Sequence, residues 1–256
     1  MRTVLLLVLV VSAGPARADV PPYRPHSGDA QAVGKQLIAA MGGDSGWQRA
    51  RYFRFDAIFQ RPDMAPFVRS HYWDRKTGRY RLEGTGEDGA YRVYMNVNTR
   101  KGDVWVGGKK LTGAAKIKKR LDDAYEAYAK DTMSLLAPFR IFDTDTVSLW
   151  YEDLGRALGG PCDILGFNIR GIVADGESER HSMCVDQKSH LVALWDVATG
   201  WGGERDSGWS WSDWQQHGPL LLATLRTLRK EAGRTVRFDK ITVSETPDDA
   251  ALTPPQ

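Results

Sequence analysis

Four of the five histidines, His71, His181, His190 and His217, are the first residues to weigh for chemistry, and none stands at His-x-x-x-His or His-Glu-x-x-His spacing. That spacing places two imidazoles on one helix face for a zinc ion, so each histidine here reads as an exposed or hydrogen-bonded strand residue. No Gly-x-Ser-x-Gly turn presents a nucleophilic serine, and no Gly-x-x-x-x-Gly-Lys loop cradles a phosphate. Asp143-Thr144-Asp145 opens like a calcium loop but lacks the glycine and the closing glutamate, and reads as a turn. Asp122-Asp123 and Glu152-Asp153 are neighbouring carboxylates with no second acid placed at working distance. The chain is read as non-catalytic, with no metal and no cofactor. An enzyme acting on a lipid or glycan through loop carboxylates is the outlying alternative.

Aromatic residues carry the positive signal. Trp195, Trp201, Trp209, Trp211 and Trp214 fall within twenty residues, and strand alternation puts Trp209 and Trp211 on one sheet face. Two readings follow. These rings fill a core, or Phe53, Phe55, Phe59, Tyr91, Val93, Met95, Trp209 and Trp211 line an apolar cavity that takes an acyl chain. Cys162 and Cys184 invite a disulfide in an oxidising compartment. A hairpin turning at Ala174-Asp175-Gly176 would set Cys184 opposite roughly residue 167, about 16 Å along the strand from Cys162, whereas bridged Cα atoms lie within about 7 Å. A bend at Gly159-Gly160-Pro161 would bring Cys162 back, so bridged and free thiols both stay open.

The elements that must position these residues follow from periodicity. Val33, Leu37, Ile38 and Met41 mark a helix capped by Asp29 and stopped by Gly42-Gly43. From Phe53 the period becomes two, and strands run over Phe53–Gln60, Phe67–Trp73, Arg79–Glu83, Tyr91–Val97 and Asp103–Val106, joined by short turns into an antiparallel meander. A helix over Thr112–Tyr128 carries Ile117, Leu121, Ala124, Tyr125 and Tyr128 on one face, and an apolar turn, Met133–Leu136, hands over to a strand at Val147–Tyr151. A glycine-rich connection, Leu154–Pro161, leads to strands at Ile164–Val173, His181–Val185, Leu191–Val197, Trp209–Trp214 and Val236–Val243. Leu220–Leu228 fits either a strand or a helix. Ten or eleven strands and two substantial helices are expected in one domain over 29–245, with a polar flexible tail over 246–256.

Residues 1–18 read as a secretory signal peptide, with Arg2, an apolar run from Val4 to Val11 and Ala16-Arg17-Ala18 before Asp19. The run is far shorter than the roughly 20 residues of a spanning helix. A flexible, proline-rich leader over 19–28 follows. Losing Arg2 and Arg17 lowers the formal charge of +3 by two, which leaves no electrostatic case for nucleic acid. Lys109-Lys110 and Lys116-Ile117-Lys118-Lys119-Arg120 form the one basic cluster, read as a solvated helix face or a contact for anionic lipid headgroups.

With the elements in order, the chain resembles the LolA/LolB lipoprotein-carrier superfamily. The resemblance is carried by Ala40-Met41-Gly42-Gly43, by His71-Tyr72-Trp73-Asp74 to Gly78-Arg79-Tyr80-Arg81, by Asp131–Leu136 with Ala137-Pro138-Phe139-Arg140, and by Trp211-Ser212-Asp213-Trp214 with Gly218. It lacks the lipobox of the membrane-anchored members. The resemblance implies a strongly curved antiparallel sheet, an incomplete barrel, lidded by helices that gate an acyl-binding hollow. It also implies a soluble periplasmic carrier of a lipid or an acylated protein, working with an envelope membrane protein. The rival reading is an envelope scaffold or protein-interaction module with a filled core and no lipid ligand.

Overall fold

A computed structural model describes residues 27–143, 146–157, 160–170, 178–199 and 208–255. The expected signal peptide, most of the leader, the turn at Ala174-Asp175-Gly176 and Trp201 lie outside the described residues. Helix α1 (Ser27–Ala40) starts two residues before the expected cap and stops where Gly42 and Gly43 take φ of 120° and 70°. A short second helix, α2 (Gly43–Arg49), follows at once. The meander is β1 (Tyr52–Gln60), β2 (Phe67–Asp74), β3 (Arg79–Gly86), β4 (Gly89–Asn96), β5 (Lys101–Val106) and the two-residue β6 (Lys109–Lys110).

Helix α3 (Ala114–Leu136) then spans 23 residues, about 35 Å. It does not end at Tyr128, and the segment expected as an apolar turn is its last helical turn. A 3-10 turn over Ala137–Arg140 follows, with Pro138 near its start, where a missing N–H costs nothing. The remaining strands are β7 (Thr146–Ala157), β8 (Gly160–Arg170), β9 (Ser178–Asp186), β10 (Val192–Thr199), β11 (Trp209–His217), β12 (Leu220–Leu228) and β13 (Thr235–Ser244). The ambiguous Leu220–Leu228 is a strand because both of its sides are taken, by β11 and by β13. The glycine-rich connection expected after Leu154 is instead the paired end of β7 and β8. A side chain at Gly155 would meet Ile164 there at 2.7 Å.

All thirteen strands form one antiparallel sheet in the order β6-β5-β4-β3-β2-β1-β13-β12-β11-β10-β9-β8-β7. The edges, β6 and β7, do not pair, so the sheet is open. A twisted sheet of this width curls rather than staying flat, and the helices fill its inner side. Helix α1 lies on β7 and β8, while α3 lies on β4, β5 and β12. One continuous core runs from Leu37 and Met41 through Phe53, Tyr80 and Val104 to Leu135, Leu165 and Phe238. The fold is mainly β, a strongly curved incomplete barrel covered by helices.

The terminal stretch is not a loose tail. Its turn of helix, α4 (Asp249–Leu252), is capped by Asp248, which accepts from the Ala251 N–H at 3.0 Å. Arg81 donates to the Ala251 carbonyl at 2.9 Å, Arg79 pairs with Asp249 and Leu252 is buried, so one apolar anchor and two polar ones hold it on β2 and β3.

Candidate functional site

The structure brings the eight expected cavity residues onto one core but leaves most of them no open space. Phe53, Phe55, Val93, Met95 and Trp211 are covered by the chain's own side chains. Phe53 packs on Trp47 and Trp73, and Phe55 stacks on the His71 ring at 4.4 Å and meets Phe238 edge-on. The Arg226 guanidinium lies 3.5 Å over the Trp211 ring. Tyr91, Trp209 and Phe59 are half-buried at the margin of this layer. Alternation identified the inner face correctly. It carries no information on what lies above that face.

Phe59, one of the eight, lines an open cleft of about 660 Å³ between the β1–β2 connection and α3. Met64, Ala65, Phe67 and Ala127 supply its apolar lining, and Arg61, Arg69, Asp123, Glu126 and Lys130 its polar rim. Met64 is 60% exposed, Phe67 and the adjacent Val68 40% each. The chain thus presents contiguous apolar side chains to solvent at a concave site, where covering them would release surface water. Sequence reasoning missed Met64, Phe67 and Val68. The available signal was the pair Phe67-Val68 itself, since consecutive apolar residues on a strand cannot both face the core.

Beneath the cleft, a buried polar group pins α3 to the sheet. Arg69 donates to Asp131 Oδ1 at 2.7 Å, and its guanidinium covers the Phe59 and Phe67 rings at 4.6 and 5.3 Å. His71 Nε2 stands 3.0 Å from Asp131 Oδ2, at ion-pair distance but without hydrogen-bond alignment. His71 Nδ1 is 2.7 Å from the Tyr80 hydroxyl. Burial pushes the His71 pKa down against the pull of Asp131, so the imidazole is neutral. His71 is wholly buried, out of reach of any bound molecule, and its role is to fix the helix. A second pin lies nearer the end of α3. The Nε and Nη2 of buried Arg226 donate to the Ser134 carbonyl at 3.1 and 2.9 Å, where the helix dipole is negative.

The basic cluster is largely neutralised. Lys118 and Lys119 pair with Asp122 and Asp123 one turn on, Arg120 pairs with Asp88, and Lys110 with Asp103. Such exposed pairs are worth little individually, but they leave Lys109 and Lys116 as the cluster's cations without a carboxylate partner among the described residues. Cys162 and Cys184 are joined, with Cα atoms 5.4 Å apart. The register differs from the expected one. Cys184 lies opposite Ile164 rather than residue 167, so Cys162 is its diagonal neighbour on the same face. Among the described residues, no group of three or more His, Cys, Asp or Glu is placed to hold a metal ion, and no helix is long and apolar enough to cross a membrane.

Fold and site together define a class: an open, curved antiparallel sheet lidded by a pinned helix, with an apolar cleft at the lid's side. No protein-family model matches the chain, and no curated protein matches it. Among solved structures, it is similar to a DUF1329-family protein from Desulfovibrio piger, at 12% identity over 88% of this chain and 97% of that one, with a TM-score of 0.49. It is also similar to a LolA-superfamily protein from Nitrosomonas europaea, at 11% identity over 88% of this chain and 97% of that one, again with a TM-score of 0.49. The latter belongs to the superfamily that the sequence motifs resemble.

Proposed function

We propose that this protein is an exported, non-catalytic binding protein that takes the acyl chain of a lipid or of a lipidated polypeptide in the cleft between the β1–β2 connection and α3. The observation that carries the reading is the exposed pair Met64 and Phe67 lining a cleft of about 660 Å³. Covering about eight methylenes there would contribute about 6 kcal/mol. Arg61, the rim cation without a carboxylate partner among the described residues, suits a phosphate or carboxylate at the water-facing end of such a ligand, whereas Lys130 is paired with Glu126. Delivery to an envelope membrane protein would complete the role. Residues 1–18 are proposed to be removed on export to the periplasm, leaving Asp19 at the start of the leader that precedes one folded domain over 29–245.

Lipid extraction of natively purified protein with mass spectrometry, together with uptake of a fluorescent fatty acid, tests the reading. Phe67→Glu and Met64→Glu lie at exposed positions, so the fold should survive while loading falls at least about tenfold, as expected for placing a charge in an apolar site. Full loading in both variants, or wild-type protein with neither lipid nor uptake, overturns it. The second reading is an envelope interaction module with a filled core. It is supported by the burial of Phe53, Phe55, Val93, Met95 and Trp211, and it predicts a lipid-free protein whose cleft takes an apolar peptide segment.

A further inference from the structure

A second cleft, sharing no residue with the first, opens where α2, the end of β2, the last turns of α3 and the segment after the 3-10 turn meet. Its volume is about 220 Å³, and its walls include Trp47, Trp73, Arg75, Tyr128, Arg140 and Asp143. Residues on its walls carry donors without acceptors. The buried Trp73 indole N–H has no partner among the described residues. The Tyr128 hydroxyl, half-buried on the cleft wall, makes no hydrogen bond among the described residues. Arg75 is half-buried over the Trp47 ring at 4.1 Å, with its Nε donating to the Ala50 carbonyl and Nη2 to the Trp47 carbonyl. Its Nη1 has no partner among the described residues, and no carboxylate lies at ion-pair distance from it. Burial lowers the Arg75 pKa, with Asp143 opposing from a distance.

A buried polar group left unpaired costs about 1–3 kcal/mol, and such groups in a folded protein commonly mark an ion or ligand. The unpaired groups here are donors and call for a ligand that accepts, and the planar fork of arginine matches a carboxylate in particular. Trp47, Trp73 and the Tyr128 ring surround this point with apolar surface. The volume is below the roughly 300–1,000 Å³ of sites that hold drug-sized molecules. We propose that this cleft binds a small organic carboxylate, its oxygens on Arg75 and Tyr128 and its apolar body against the tryptophans. Asp143, ion-paired with Arg140 at 2.5 Å, sets the anion affinity by opposing the ligand's charge.

Calorimetric titration of the full mature chain with benzoate, hexanoate and inorganic phosphate tests this, with the Trp73 indole N–H resonance, assigned through Trp73→Phe, as the structural readout. Benzoate or hexanoate should bind saturably with a Kd of about 1 mM or tighter and shift that resonance, while phosphate binds at least about tenfold more weakly. Tyr128→Phe, which keeps the ring, should weaken carboxylate binding several-fold, and Arg75→Lys by about tenfold or more. Asp143→Asn should tighten it, an effect that loss of folding cannot imitate. No saturation by about 10 mM benzoate, phosphate binding as tightly as benzoate, or unchanged affinity in both Tyr128→Phe and Asp143→Asn would overturn the proposal.

Discussion

His181 lies between two rings, stacked on Phe167 at 5.0 Å and on Trp195 at 5.7 Å, and its Nδ1 accepts the Trp195 indole N–H at 3.3 Å. Burial, with help from the positive charge of Arg140, pushes its pKa down to about 3. The unfolded chain takes the same proton near pH 6.5. Stability from keeping this ring neutral is therefore fully present above about pH 6.5 and is lost as the pH falls from there towards 3, at no more than about 1.4 kcal/mol per pH unit. Buried His71 is shifted in the same direction and adds to the same limb. Urea unfolding between neutral pH and pH 4 should show a steep acid loss of stability that His181→Phe makes shallower; an unchanged slope would contradict this account. Asp74 has the same sign at lower pH: the hydrogen bond from Arg51 holds its carboxyl far below the usual range, so its contribution is complete above about pH 4 and is lost only as the pH falls below that.

At the scale of elements, the junction of α1 and α2 shows how one backbone conformation seats a helix pair on the sheet. Gly42 has a φ of 120°, and a Cβ there would stand 2.4 Å from the Pro219 carbonyl oxygen in the β11–β12 turn. The same turn donates the Leu221 N–H to the Met41 carbonyl at 3.0 Å. Gly42→Ala thus meets both a disfavoured φ and a backbone collision, and should cost about 1–3 kcal/mol or more, whereas Gly43→Ala, with nothing within 4 Å of its Cβ, carries the φ strain alone. Comparing denaturation midpoints of the two variants checks this, and equal losses would mean that Pro219 is not the obstacle. Helix α3 is held differently, by buried polar pins to β2 and β12 rather than by a glycine contact.

For the whole molecule, an open sheet of thirteen strands must hold together two halves that meet at β1 and β13. Within the half from β7 to β13, strands β7 to β10 carry a small separate cluster of Ala157, Cys162, Cys184, Ala193 and Leu194, with the disulfide inside it. The bridge closes a loop over a sequence separation of 22, which the chain-entropy model values at about 3 kcal/mol. Reduction, or replacement of both cysteines by alanine, should lower the free energy of unfolding by about that amount. A loss below about 0.5 kcal/mol would show that the sheet is held without it.

Local alternation determined much of this protein. Phe53, Phe55 and Phe59 against Arg54 and Gln60 already specify a one-faced strand, Ile117, Leu121 and Ala124 specify the inner stripe of α3, and Gly42-Gly43 specify the end of α1. These signals lie within a few residues of each other, so they can be read without knowing what the segment touches. Whether a face is covered is a different question. Phe55 and Phe59 have the same parity on one strand, yet the first is sealed under His71 and Phe238 while the second opens on a cleft. The helix expected to end at Tyr128 runs on to Leu136, and the buried carboxylate of Asp131 within it is satisfied by Arg69, 62 residues away. The cysteine register, the docking of α4 and the two clefts likewise depend on contacts between residues far apart in the chain, and only the closing of the sheet around its helices decided them.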